Sequence, residues 1–235
     1  MIRHIALTAI AAAFTFSAVP AAAQDIGLSP AVENVDTTTV ENRQIPISVN
    51  FNMQEDRENI LLLDLSNGER VAIRLVPEWA PNHVERIKTL TRDGFYNGVI
   101  FHRVIDGFMA QTGDPTGTGQ GGSTLPDLEE EFNMLPHVRG TVSMARAEAE
   151  DSANSQFFIV FYPRFALDRR YTNFGRVISN MTAVDAIQRG EPPQNPTRIL
   201  QASIAADNVA QMMPGQAPAQ AERITLDMLN AAGEE

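Results

Sequence analysis

The chain has 235 residues, no cysteine, and 29 acidic against 18 basic residues, for a net charge of −11. Without thiols it has no cysteine nucleophile, no thiolate metal site and no disulfide framework. An acidic chain gains no counterion release from a polyanion, and no basic stripe is present, so nucleic acid is not an expected partner.

The first 23 residues read as an export leader. Met1-Ile2-Arg3-His4 is a short basic start, residues 5–19 are apolar, and Ala21-Ala22-Ala23 has the small-residue pattern of a cleavage site before Gln24. The apolar run, about 15 residues, falls short of the about 20 that span a bilayer. No later run is long and apolar enough, so no membrane span is expected once the leader is removed. Removal takes away Arg3 and leaves a net charge of −12. An exported protein without disulfides relies on its core, and a bacterial periplasm fits best.

Residues 24–57 form an N-terminal arm. Residues 25–42 are polar and read as flexible. Ile47, Val49, Phe51 and Met53 then alternate with Ser48, Asn50 and Asn52, the period of a half-buried strand, and Pro46 suits an edge. The alternation predicts a strand added to the main sheet, with an arm that pairs with a partner as the alternative.

Residues 60–75 hold two strand-like runs around Asn67-Gly68, a hairpin signal. Pro77 and Pro81 break the run. A helix is predicted over residues 81–94, with Val84, Ile87, the Lys88 stem, Leu90 and Thr91 on one face and Gly94 as the stop. Short strands are predicted over residues 98–105, 108–113, 140–145, 156–161 and 173–178. A short helix over 182–189 ends at Gly190, and a last strand covers 196–206. Many short strands with two helices point to a β-barrel or sandwich with helical caps. Beyond residue 206 the chain changes character. Residues 212–220 read as a linker, and 222–232 as a short helix with Ile224, Met228 and Leu229 on one side.

Some apparent sites carry little. Gly117-Thr118-Gly119-Gln120-Gly121-Gly122 matches the dinucleotide fingerprint, but no helix opens inside it, so it reads as a mobile glycine loop. No cofactor is expected. After the leader His83, His102 and His137 are far apart, without metal-ligand spacing, and no metal is expected. There is no G-x-S-x-G elbow, and Ser143 and Ser155 sit in or beside strand-like runs as structural serines.

"FHRVIDGFMAQTGD", residues 101–114, is the strongest candidate. A strand there turns Met109 and Gln111 to one face and Phe108, Ala110 and Thr112 to the other. In "SQFFIVF", Gln156 and Phe158 share a face. Arg103 sits on the adjoining strand, and its guanidinium needs solvent, a partner or a substrate. Arg103 thus stands beside apolar residues in a stretch with no nucleophile.

These blocks, with "GTVSMARA", "SQFFIV" and "LDRRYTNFGRV" following in order, resemble the cyclophilins over residues 58–205. The resemblance implies a peptidyl-prolyl cis-trans isomerase of bacterial secreted type. It also implies a closed eight-stranded antiparallel barrel capped by two helices, with its site on the outer face and N- and C-terminal extensions outside residues 58–206. By position, Arg103 takes the catalytic role. Phe108, Met109, Gln111, Phe158 and Leu167 fall on the proline pocket, and Ala145 and Gln156 on the peptide-backbone contacts. Arg146 replaces the asparagine usual in eukaryotic members, and Tyr171 a pocket histidine. Where those members carry the tryptophan that helps bind cyclosporin, this chain has Ala166 on an ungapped alignment or Phe165 after a one-residue slip. Isomerase activity is expected to survive these departures; tight cyclosporin binding is not implied. The expected partners are proline-containing polypeptides in exported proteins. The alternative is a proline-binding or chaperone module with little catalysis.

Overall fold

The computed structural model describes residues 45–216. The expected leader, the arm over 25–42 and the helix over 222–232 lie outside the described residues. Eight strands form one antiparallel sheet: β1 (Ile60–Leu65), β2 (Arg70–Leu75), β3 (Arg103–Ile105), β4 (Met109–Thr112), β5 (Thr141–Met144), β6 (Phe157–Val160), β7 (Asn173–Ser179) and β8 (Ile199–Ile204). Their order across the sheet is β3-β4-β6-β5-β7-β2-β1-β8. Helix α1 (Pro81–Arg92) buries Val84, Ile87, Leu90 and Thr91, the face its spacing predicts, together with His83. Helix α2 (Met181–Asp185) is shorter than the sequence suggests and is capped by Asn180, whose side chain accepts from the Ala183 N–H at 3.2 Å. No helix among the described residues is long and apolar enough to cross a membrane.

The expected barrel closure is corrected. The sheet curls into a half-barrel, and β3 and β8 share no ladder. The outer edge of β3 is already taken: Val104 and Gly190 exchange backbone bonds of 2.8 and 2.9 Å. Only the connection before β3 reaches the other end, through the single Ile100–Arg198 bridge and bonds such as Phe101 N–H to the Thr197 carbonyl at 2.9 Å. An edge occupied by one segment cannot zip to another.

The predicted strand over residues 47–53 is also corrected. No strand forms there. Arg74, buried on β2, donates to the carbonyls of Asn50 (3.1 Å), Asn52 (2.7 Å), Glu55 (3.0 Å) and Asp56 (2.7 Å). Carbonyls that converge on one planar ion bend the chain into a cup and are lost to a ladder. The alternation does not hold for the side chains either, since only two of the four apolar residues turn inward. Val49 packs with Val76, Trp79 and Leu135, and Met53 with Ile60, Leu62 and Ala72, while Ile47 and Phe51 face solvent. Beyond β8, Met212 is buried and its N–H donates to Asp64 at 2.8 Å.

Candidate active site

Strand register builds the site. Arg103 lies opposite Gln111, Gln111 opposite Phe158, and Phe158 opposite Ser143, so this row shares one face. The neighbouring row of Val104, Ala110, Ile159 and Val142 points the other way into the main core. On the outer face Met109, Phe158 and Val160 form a separate apolar cluster, flanked by Ile105, Phe108, Ala145, Leu167 and Tyr171. Arg103 therefore stands at the rim of an apolar patch. Phe108 joins that patch despite its parity, because β4 begins only at Met109. Phe108 belongs to the preceding turn, where its N–H donates to the Ile105 carbonyl.

A hollow of about 700 Å³ opens over this cluster, lined by Arg103, Phe108, Met109, Gln111, Ala145, Arg146, Phe158, Leu167 and Tyr171. Gln156, the remaining candidate, lines an adjoining hollow of about 500 Å³ that shares Gln111, Ala145 and Arg146. The sequence reading missed His102, the glycine-loop residues 117–120, Glu191 and Pro192, all of which line the first hollow. His102 and the glycine run stood out in the sequence but were given no site role. Neither Phe165 nor Ala166 reaches either hollow. Arg146 lies 5.0 Å over the Tyr171 ring and donates to the carbonyls of Arg170, Ala147 and Glu148, so the two departures form one wall.

Hydrogen bonds fix the polar side. Arg103 donates from Nε to Glu191 Oε2 at 2.8 Å and from Nη1 to Gln111 Oε1 at 3.4 Å. Gln111 Nε2 donates to Gln156 Oε1 at 2.9 Å, and Gln156 Nε2 donates to the carbonyls of Gly119 (3.1 Å) and Gly121 (2.8 Å). The glycine run, expected to be mobile, is thus tied to the sheet. Its other anchor is the buried Asp114, whose Oδ1 accepts from the Thr116 N–H and hydroxyl at 2.7 Å each, and whose Oδ2 accepts from the Gly119 N–H at 2.6 Å. Burial raises this carboxyl, but bonds from Thr116, Gly121 and Gly119 outweigh it and hold it at about 2. A Cβ on Gly121 would collide with Asp114 Oδ1, so only glycine fits that close pass.

Ser143 has an unexpected setting. Its Oγ is 2.9 Å from His137 Nε2, and His137 Nδ1 is 2.8 Å from Asp168 Oδ1, the order of a hydrolase triad. Ser143 is fully buried, so no substrate carbonyl can reach it. The chain of bonds instead tethers the segment that carries Leu167, as Asp168 also accepts from the His137 N–H and Arg164 N–H donates to the His137 carbonyl, each at 2.8 Å. Burial pushes the His137 imidazole below its ordinary value, and Asp168 only partly offsets it.

A half-barrel with an apolar hollow on its outer face, a forked cation at the rim and no serine or cysteine among the residues lining that hollow suits an apolar ring better than nucleophilic bond cleavage. The family described as "Cyclophilin type peptidyl-prolyl cis-trans isomerase/CLD" matches residues 61–204. The chain belongs to that family and is a peptidyl-prolyl cis-trans isomerase. It is 49% identical over 168 residues to a "Probable peptidyl-prolyl cis-trans isomerase" of Brucella suis biovar 1, covering 65% of this chain and 85% of that one. A peptidyl-prolyl cis-trans isomerase-like 3 of Rattus norvegicus is 42% identical over 123 residues, covering 51% and 76%. Among solved structures, cyclophilin AquaCyp293 from Hirschia baltica superposes with a TM-score of 0.61 at 29% identity, covering 66% of this chain and 76% of that one. A Cryptosporidium parvum cyclophilin-type isomerase, solved in the presence of the dipeptide Ala-Pro, gives 0.57 at 28% identity, covering 62% and 98%.

Proposed function

We propose that this isomerase is a bacterial secreted cyclophilin, exported by the leader over residues 1–23 to the periplasm, and that residues 58–206 accelerate rotation about X-Pro bonds of exported proteins. The observation that carries the reading is that Arg103 and the apolar cluster of Phe108, Met109, Phe158 and Leu167 line one hollow. The Ala-Pro dipeptide of the similar Cryptosporidium structure is the kind of ligand such a hollow would take.

The chemistry follows from the amide. Its rotation barrier is about 18–20 kcal/mol because twisting destroys C–N resonance. Before proline the cis form lies only about 0.5–1 kcal/mol above trans, so both isomers matter, and they exchange slowly. No bond breaks, and no nucleophile is needed. In the twisted state a lone pair gathers on the prolyl nitrogen. Arg103 donates a hydrogen bond to it, and that bond is stronger in the transition state than in the planar ground state. One preorganised donor supplies about 3–4 kcal/mol. An acceleration of about 10⁶ needs about 8 kcal/mol, so the rest comes from the pocket, which orients the ring and excludes water.

The test is Arg103→Ala in a protease-coupled assay on a proline peptide. Turnover should fall by at least about a hundredfold, the loss of one such donor, with circular dichroism unchanged. Unchanged turnover would sink the arginine mechanism. Peptide binding by the wild type without acceleration would favour the proline-binding or chaperone module.

A further inference from the structure

The Val104–Gly190 pair carries a consequence for Arg103. In an antiparallel bridge the residues next to a pair also face each other, so the residue before Val104 meets the residue after Gly190. Backbone geometry therefore delivers Glu191 to Arg103. The delivery depends on glycine: Gly190 has φ +142°, and a Cβ there would come within 2.6 Å of the Pro193 Cα. The carboxylate then accepts from Arg103 Nε at 2.8 Å, and Glu191 lines the same hollow as the apolar cluster.

We propose that Glu191 is a positioning residue for the isomerase reaction, holding the guanidinium so that its Nη end faces the proline. This rests on the reading of Arg103 as the catalytic donor. Fold stability does not explain the pair, because its side chains are 42% and 52% exposed, and exposed ion pairs contribute little. Its effect is directional. A guanidinium is planar with five N–H vectors fixed in that plane. Glu191 takes the Nε vector and Gln111 one Nη1 vector, from two different atoms, and together they fix the plane. Both Nη2 hydrogens have no partner among the described residues. The opposite role, a carboxylate that sequesters Arg103 from substrate, requires the Nη fork to be occupied, and Glu191 does not occupy it.

The experiment measures kcat and KM by NMR exchange on a proline peptide for Glu191→Ala, Glu191→Gln, Arg103→Ala and the Arg103→Ala/Glu191→Ala double variant. Glu191→Ala should lower kcat about tenfold with little change in KM, as expected for a misaimed donor. Glu191→Gln keeps an acceptor oxygen and should recover most of that loss. In the Arg103→Ala background, removing Glu191 should change nothing further. A Glu191→Ala enzyme as fast as wild type or faster overturns the inference, as does an equal loss with and without Arg103. If Arg103→Ala itself turns over normally, the arginine mechanism fails first and the positioning role falls with it.

Discussion

At Arg103 two N–H directions are taken, by Glu191 and Gln111, and the ion is held at the edge of an apolar floor. A lysine could carry the charge but not the direction, because its ammonium turns freely on a flexible stem. The floor is as specific as the cation. Leu167 sits in a one-turn 3-10 segment (Phe165–Leu167), half-buried against the cluster of Met109, Phe158 and Val160. Its backbone bonds persist when the side chain is cut back. Leu167→Ala should therefore fold normally, and kcat/KM should fall about tenfold, the scale of a few lost pocket carbons. The loss should appear mainly in KM, since the wall grips the ring in both planar and twisted states. Titration of a proline peptide checks this, and an unchanged KM would place the ring elsewhere. Most of these residues were legible because Arg103, Phe108, Met109 and Gln111 fall in one tight hairpin of β3 and β4. Glu191 was not. It stands 88 positions away, and only the Val104–Gly190 bridge makes it a neighbour.

At the scale of elements, hydrophobic period and turn signals located the strands and α1, while side-chain demands on the backbone went unseen. The segment over residues 45–56 is the clearest case. Of the four apolar residues its alternation put on one face, only Val49 and Met53 pack inward, and the carbonyls it would give to a ladder go to Arg74. Nothing in a period of two announces a single buried guanidinium. The glycine run follows the same logic: its composition suggested mobility, and Asp114 with Gln156 holds it. Arg74→Met tests the first case. Methionine refills part of the volume and removes all five donors, leaving carbonyls without partners. The expected cost is roughly 3 kcal/mol, since bonds to charged groups exceed ordinary ones. Thermal unfolding should show it, and limited proteolysis should cut first within residues 45–56. Isomerase turnover should persist, because Arg74 lies outside both hollows. A variant with wild-type stability and an uncut segment would show that apolar contacts of Val49 and Met53 hold the segment alone.

For the whole molecule, curling the sheet buries one continuous core on its concave side and leaves the row of Arg103, Gln111 and Phe158 outside, so the candidate site rests on a stiff support. Eight of the nine strands expected from the sequence formed, and the antiparallel eight-stranded arrangement was implied by the family resemblance. Closure was not legible, because it depends on which distant segment reaches the edge of β3 first, and Gly190 does. The same support sets how the protein responds to acid. His102 and His137 are buried, and burial lowers both imidazoles from an ordinary 6.5. At a pH below that value the unfolded chain takes up protons that the folded chain refuses, so stability falls as pH drops. The carboxyls act in the same direction. Asp114 is lowered from 3.8 to about 2. Glu131 is also lowered: burial opposes its ionisation, but bonds from His83 and Asn82 prevail. Their contributions are present above their ordinary values and are lost as pH falls through the lowered ones. The melting temperature should therefore be flat above about pH 7, decline once the histidines' window is entered, and decline again below about pH 4.5. Calorimetry across that range checks the shape. His137→Gln should flatten part of the first decline, whatever it does to the absolute melting temperature. A melting temperature that rises on acidification from pH 7 would show that the lowered His102 and His137 imidazoles do not govern the response to acid.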